Sequence, residues 1–134
     1  NKKVQVSNLY TVLKDYHEII DPNRVKVVLD NKSNAIYFSR EKISTKKING
    51  KKKYYKQGNV FCFTKKALHH FVKLKSSNLE KVESVDMNRL VENRYKIKMI
   101  KTNFHTINVD NQKDLQKAKI EMKKDKYLNL YNKI

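Results

Sequence analysis

The chain has 134 residues, 39% of them hydrophobic, and a net charge of +18, and this length is enough for one domain with a buried core. It contains no apolar run near about twenty residues and no signal-peptide pattern at its start, so we expect no membrane span. The single cysteine, Cys62, can form neither an internal disulfide nor a Cys-rich zinc site, which favours a reducing, cytoplasmic compartment. We expect it to act as a small buried hydrophobe in a strand.

The high positive charge first suggests a nucleic-acid-binding module. However, only four of the 31 basic residues are arginine, the residue type that pairs best with bases and phosphates. The lysines are spread along the chain, and the densest run, residues 46–53, has the composition of a solvated loop. We therefore expect no specific nucleic-acid partner, and keep a basic binding module as an alternative.

Taken in chain order, the first elements alternate between strands and turns. Val4–Thr11 is predicted to be a strand, followed by a short helical turn around Lys14–Ile20. Pro22 and Asn23 end this segment, because the residue before proline is pushed out of helical geometry. Val25–Leu29 and Ala35–Phe38 then read as two strands of a hairpin around a polar turn.

The second half of the chain adds helices to this pattern. A lysine-rich loop from about residue 41 to residue 53 leads to further elements. Ser76 or Ser77 is predicted to cap the helix Leu79–Asn93, and Asn111 the helix after Asp110. Strands that alternate with helices predict a three-layer α/β sandwich. The predicted elements are a strand Tyr54–Thr64, a helix Lys65–Leu74 with Ala67, Leu68, Phe71 and Val72 in the core, a helix Leu79–Asn93, a strand Lys96–Lys101 with Ile97, Met99 and Ile100 buried, and a helix after Asp110.

Three places in this layout could carry chemistry. The hairpin ends on Ser39 and Arg40, and a guanidinium can pair with a carboxylate or phosphate, although the spacing alone favours a core hairpin with a surface arginine. Asp110 lies between a strand and a helix, where it could hold Mg²⁺ or only cap the helix. Glu80, Glu83 and Asp86 share one side of a predicted helix, either as a binding face or as a solvated one.

Three stretches in the same order resemble the 3-deoxy-manno-octulosonate cytidylyltransferases (CMP-Kdo synthetases). The first is DPNRVKVVLDNKSNAIYFSR, residues 21–40, which is similar to the family passage with NPN, VKVV and ALYFSR. The second is SNLEKVESVDMNRLVENRYKIKM, residues 77–99, and the third is NVDNQKDLQKAKIEM, residues 108–122. The nucleotide-binding signature of the family's first half is not found, so residues 1–134 resemble the C-terminal half of a single cytidylyltransferase domain.

The resemblance implies a mixed sheet of the nucleotide-diphospho-sugar transferase type and a specific reaction. A full-length relative would transfer CMP from CTP to Kdo for lipopolysaccharide biosynthesis, with Mg²⁺ as cofactor. Asp110 would correspond to a metal-binding aspartate, and Arg40 with Ser39 would face an anionic group of the sugar. The family also implies a homodimer through this half, with the helix Leu79–Asn93 as an interface, and an inactive isolated fragment.

Departures from the family pattern fall on the sugar contacts. A Glu-Gln pair of the family corresponds to Asp86 and Met87, and a His and a Tyr of the family correspond to Gln57 and Phe61. Asp86 can still accept hydroxyl hydrogen bonds and Gln57 can still bind a carboxylate or hydroxyl, but Met87 cannot replace an amide. These changes keep open another acidic sugar as substrate, such as a nonulosonic acid or an amino analogue of Kdo.

Overall fold

The computed structural model describes residues 4–43, 53–104, 107, 109, 111–125 and 127–128. The chain divides into two compact units, residues 1–104 and residues 105–134, and each is described by itself. The predicted α/β class with a mixed sheet is confirmed. The first unit contains strands β1 (Val6–Leu13), β2 (Lys26–Leu29), β3 (Ala35–Ser39), β4 (Tyr54–Phe63) and β5 (Ile97–Lys101) and helices α1 (Tyr16–Ile20), α2 (Lys65–Lys73), α3 (Asn78–Glu83) and α4 (Met87–Glu92).

The five strands form one sheet in the order β3-β2-β4-β1-β5. The β1–β5 pair is parallel, and the other pairs are antiparallel. The β2–β3 hairpin predicted from the sequence is present, and it curves so that its turn contacts the strand at the other edge. There the backbone N–H of Met99 in β5 donates to the Ser33 carbonyl at 2.8 Å. The curvature encloses the main core between the hairpin, β1, β5 and the helices α2 and α4.

Close contact between β1 and β4 explains the glycine in β4. The register between these strands shifts between Asn8 and Tyr10, and the buried Asn8 amide donates to the carbonyls of Gly58 and Val60, both at 2.8 Å. A Cβ at Gly58 would lie 2.9 Å from the Leu9 Cβ and 3.0 Å from the Leu9 carbonyl oxygen. Glycine is therefore required here by a close backbone approach and not by a turn.

The predicted helix Leu79–Asn93 is wrong as a single helix, because the chain forms α3 and α4 with a break between them. Ser84 takes a left-handed conformation with φ of 51°, a geometry that ends α3. The Ser77 cap is confirmed, and Glu80 completes a capping box by accepting the Ser77 N–H.

Several predicted core positions of the first unit are exposed. Leu68 and Val72 of α2 and Ile100 of β5 are at least partly open to solvent, whereas Ala67, Ile97 and Met99 are buried as predicted. Cys62 is exposed, so its expected role as a buried hydrophobe is wrong. The hydrophobic pattern identified these elements but not the face of each one that packs against the core.

The second unit contains the helix α5 (Gln112–Met122). Asn111 caps it, as predicted, by accepting the Asp114 backbone N–H at 2.9 Å. No helix of the described residues is both long and apolar enough to cross a bilayer. The greater part of the lysine-rich loop predicted for residues 41–53 lies outside the described residues.

Candidate active site

Backbone register brings two of the predicted binding segments to one row of the sheet. Lys26 of β2 pairs with Ser39 on one side and with Lys56 on the other. One residue further along, Arg40, Val25 and Gln57 follow each other, and the Gln57 N–H donates to the Val25 carbonyl at 2.9 Å.

Gln57 continues this row into the other half of the sheet. It pairs with Tyr10, which pairs with Lys101, the last residue of β5. Strands lie about 4.8 Å apart, so the Cα atoms of Arg40 and Gln57 are roughly 10 Å apart. The row ends at the carboxyl end of β5, the kind of position where an open α/β sheet binds ligands, two strands from Gln57 and four strands from Arg40.

The Glu83 carboxylate at the end of α3 binds the end of strand β3. It accepts hydrogen bonds from the Ser39 hydroxyl at 3.0 and 3.1 Å, from the Arg40 backbone N–H at 2.9 Å and from the Tyr37 hydroxyl. The Ser39 side chain is buried, with 2% exposure, and its oxygen also accepts the Glu41 N–H. Ser39 therefore holds α3 against the hairpin, and its predicted contact with substrate stays a prediction.

The Arg40 guanidinium closes the same junction through backbone carbonyls. Nε donates to the Glu83 carbonyl, Nη1 to the Pro22 carbonyl and Nη2 to the Ser84 carbonyl, each at 3.1 Å. These bonds use three of the five N–H donors of an arginine. None of the described carboxylates forms a salt bridge with Arg40. Its position is fixed by the backbone, and pairing with an anion stays a prediction.

Hydrogen bonding within this cluster shifts two pKa values in opposite directions. Burial alone would raise the pKa of Glu83, but the bonds from Tyr37, Arg40 and Ser39 favour the anion and hold the pKa below its ordinary value. The Glu83 anion in turn raises the pKa of the Tyr37 phenol. Glu83 is therefore a permanent anion near neutral pH, and the cluster keeps one fixed protonation state.

A buried lysine supports the cluster from the next strand. Lys26 is 1% exposed, and its ammonium donates to the Asp21 carbonyl at 2.9 Å and to the Arg40 carbonyl. Burial lowers the pKa of Lys26, and the neighbouring Asp21 carboxylate partly opposes that effect. The lysine thus ties the segment before β2 to the residue that follows β3.

Asp86 lies between α3 and α4, two residues after Ser84, whose carbonyl accepts a hydrogen bond from Arg40. It is exposed and makes no capping hydrogen bond to α4. A two-nitrogen salt bridge from Arg89 to Glu80 joins the same two helices, with Nε at 2.7 Å. Glu83 and Glu80 are therefore bound inside the fold, and Asp86 alone of the three predicted acids points to a solvent-accessible position.

The residues that follow Asp86 are structural. Met87 is buried in the core with 2% exposure, so the position that corresponds to the family's glutamine is a packing residue here. Asn88 is fully buried, and its amide exchanges two hydrogen bonds with the Phe38 backbone, at 2.9 and 3.1 Å. This pair fixes the start of α4 against β3 and thereby sets the position of Asp86.

Gln57 and Asp110 are the remaining predicted site residues. Gln57 is 9% exposed within β4, and register alone connects it with Arg40. Asp110 lies outside the described residues. Within the described part of the chain, no three His, Cys, Asp or Glu side chains group as a metal site.

Sequence reasoning missed three residues that build this site, namely Glu83 as an acceptor, Lys26 and Asn88. One signal was available, since Lys26 interrupts an otherwise apolar strand and a lysine at such a position must find oxygen partners. The roles of Glu83 and Asn88 depend on the break at Ser84, and the pattern of a continuous helix concealed both.

Three comparisons with known proteins agree with the resemblance described above. The model of a family described as Cytidylyltransferase matches residues 1–100. The chain is 36% identical over 118 residues to the 3-deoxy-manno-octulosonate cytidylyltransferase of Fusobacterium nucleatum, covering 88% of this chain and 48% of the relative. It is 35% identical over 111 residues to the 8-amino-3,8-dideoxy-manno-octulosonate cytidylyltransferase of Shewanella pealeana, covering 83% and 45%.

The fold has a solved counterpart as well. A structure of CMP:2-keto-3-deoxy-manno-octonic acid synthetase in complex with CTP aligns with a TM-score of 0.80 and 25% identity, over 90% of this chain and 50% of that chain. The chain thus spans about half the length of the relatives it matches. With a family match over residues 1–100, the chain belongs to the cytidylyltransferase family.

Proposed function

We propose that this chain is the C-terminal half of an enzyme that transfers CMP from CTP to 3-deoxy-manno-octulosonate, giving CMP-Kdo and pyrophosphate. In this reaction the anomeric hydroxyl of the sugar attacks the α-phosphate and loses its proton, and pyrophosphate leaves. The observation that carries the proposal is the family match over residues 1–100, which includes Arg40, Gln57 and Asp86.

The chain's own residues would position the sugar. Asp86 is exposed and makes no capping bond, so it can accept hydrogen bonds from sugar hydroxyls. Arg40 is held in one position by three carbonyls, and a fixed guanidinium loses little entropy when it pairs with a sugar carboxylate. Holding two reactants in an in-line arrangement supplies a large part of the rate in such a transfer.

Mg²⁺ is part of the proposal and requires residues beyond those described. We propose that Asp110 binds it together with a carboxylate from the remainder of the full-length protein. When bound, the ion would neutralise charge on the phosphates of CTP. We also propose that the full-length protein is a cytoplasmic homodimer that serves lipopolysaccharide biosynthesis.

The test is pyrophosphate release by the full-length protein with CTP and Kdo. Asp86→Ala should raise the KM for the sugar by about tenfold and leave the KM for CTP within about twofold, because the lost contact is to the sugar alone. The control is Glu121→Gln on α5, which removes an exposed carboxylate paired with Lys124. Turnover by this chain alone, or equal kinetics in both variants, would contradict the proposal.

A second substrate is favoured by two observations. Several relatives are named 8-amino-3,8-dideoxy-manno-octulosonate cytidylyltransferases, at 32–35% identity. In addition, Met87 is buried and can offer no amide to the sugar. A substrate panel decides between the two sugars, and a higher kcat/KM for the amino sugar would replace Kdo as the substrate.

A further inference from the structure

A cationic groove lies at the opposite end of β5 from the candidate active site. It consists of two adjoining cavities of about 650 and 220 Å³, which share Gln5 and Tyr95 in their walls. Both shared residues lie just before strands, Gln5 before β1 and Tyr95 before β5. The groove is therefore built from the amino ends of the parallel strand pair, and α2 borders it.

Positive charge lines both cavities. Arg94, Lys96 and Lys98 line the larger one, and Lys66 and Lys73 of α2 line the smaller one together with the rings of His69 and His70. None of the described carboxylates is among the lining residues. Asp30 interacts with Lys98 and with the amide of Asn34 without lining the larger cavity, so the groove retains an excess of positive charge.

Two of these cations stand where backbone physics disfavours them. Arg94 ends α4 in a left-handed conformation with φ of 59°, and the Tyr95 N–H donates to the Leu90 carbonyl at 2.9 Å. The Arg94 N–H donates to the Val91 carbonyl, so the end of α4 forms the Schellman motif, in which glycine normally occupies the position of Arg94.

Lys66 is the second disfavoured cation. It lies in the first turn of α2, which has no acidic residue, and a helix N-terminus repels positive charge. For Arg94 the cost is the left-handed backbone of a non-glycine residue and for Lys66 it is the charge itself, and residues kept at positions that reduce stability are a mark of functional sites. The cost at Arg94 and Lys66 therefore argues that the groove has a ligand.

The walls also include an aromatic surface that is formed by two mutually inclined rings. The rings of Tyr95 and His70 lie 5.1 Å apart with an angle of 33° between their planes. Asn34 and Asn93 add amide groups to the larger cavity. A volume near 650 Å³ is in the range of small-molecule sites.

We propose that this groove binds a small ligand that carries several phosphate groups, at a site separate from the candidate active site. Lysine and arginine supply the charge and the N–H donors that such groups require. The Tyr95–His70 surface would accept an attached ring. The proposal does not depend on the sugar substrate or on the proposed reaction.

The test is a calorimetric titration of this chain with inorganic tripolyphosphate, carried out at two salt concentrations, and it measures the affinity. Arg94→Gly and Lys66→Glu should each weaken binding by about tenfold, which is 1.4 kcal/mol, because each removes a groove cation. Both variants should also raise the melting temperature, so that a loss of binding cannot come from a loss of folding.

The matched controls lie on α5. Lys117→Gln and Lys117→Glu change the net charge by the same amounts as the two groove variants, at an exposed helix position. Each should leave the affinity within about twofold. Equal losses in groove and control variants would reduce the effect to net charge and overturn the proposal.

A further arm separates two sources of the same phosphate chemistry. A short single-stranded oligonucleotide is titrated against the same variants. Groove-dependent binding of the oligonucleotide, with no groove dependence for tripolyphosphate, would contradict a small ligand. Groove-dependent binding of tripolyphosphate supports the proposal.

Discussion

The two ends of β5 treat charge in opposite ways. The cross-strand row that ends at the carboxyl end of β5 begins at Arg40, four strands away, and Arg40, Lys26 and Glu83 are each hydrogen-bonded within the fold. At the amino end, Arg94 and Lys96 line a groove whose described wall residues include no carboxylate. A charged residue in a family motif, such as Arg40, can therefore be structural, while Arg94 and Lys96, which belong to no binding motif, line an open groove.

The largest effect on stability should come from the hydrogen-bonded cluster around Glu83. Glu83→Ala removes the acceptor for Tyr37, Ser39 and the Arg40 backbone N–H, and should lower the free energy of unfolding by about 3 kcal/mol. Urea denaturation measures this. Glu121→Ala, which breaks an exposed pair with Lys124, should cost less than about 0.5 kcal/mol. Similar losses in both variants would show that the Glu83 cluster contributes no more to stability than an exposed ion pair.

A pair of asparagines gives the second and more direct comparison. Asn88→Ala leaves the buried N–H and carbonyl of Phe38 without their partner and should cost about 2 kcal/mol. Asn93 lines the groove and is exposed, and its amide donates a single exposed hydrogen bond to the Arg89 carbonyl at 2.8 Å, so Asn93→Ala should cost only about 0.5 kcal/mol. Both values come from the same denaturation series, and a costly Asn93→Ala would show that the groove wall is itself part of the stable core.

Acid should lower the stability that the carboxylates of α3 contribute, and it should do so in a defined pH range. The Arg89 guanidinium lowers the pKa of Glu80 from 4.5 to about 2, and a carboxylate with a depressed pKa stabilises the fold only above its unfolded pKa. That contribution should be complete above pH 4.5 and lost as the pH falls toward 2. Glu83 acts with the same sign. Glu80→Gln should flatten this part of the stability profile, and an unchanged profile would contradict the ion pair.

Much of the fold at both ends could be predicted from local patterns. The Val25–Leu29 and Ala35–Phe38 segments predict a hairpin because β-branched residues flank a polar turn. Ser77 and Asn111 predict the starts of two helices because their side chains can cap them. These signals act over a few residues, so they survive whatever the rest of the chain does.

The site depended on effects that such patterns do not record. Residues 79–93 have no proline or glycine, so the break at Ser84 was invisible, and with it the roles of Glu83 and Asn88. Leu68, Val72 and Cys62 have the right residue types for a core, but which face packs is set by distant elements. Asp110 stays a prediction from the resemblance.

The smallest expected effect tests the amino end and has the opposite sign. Lys66→Glu replaces a cation in the first turn of α2 with an anion, and should raise the free energy of unfolding by about 0.5–1 kcal/mol. Part of the gain comes from the helix dipole and part from relief of repulsion in a groove lined by cations. High salt should therefore shrink it, since exposed charges are screened.

This sign separates the two ends more sharply than any loss of stability. A charge that the fold uses cannot be reversed without cost, as Glu83 should show, whereas a charge that the fold only tolerates can be reversed with a gain. Chemical denaturation of Lys66→Glu beside Lys117→Glu, whose reversal lies inside an exposed helix, isolates the effect of position from that of net charge. If Lys66→Glu destabilises the chain, the groove cations are part of the fold, and their excess positive charge no longer argues for a ligand.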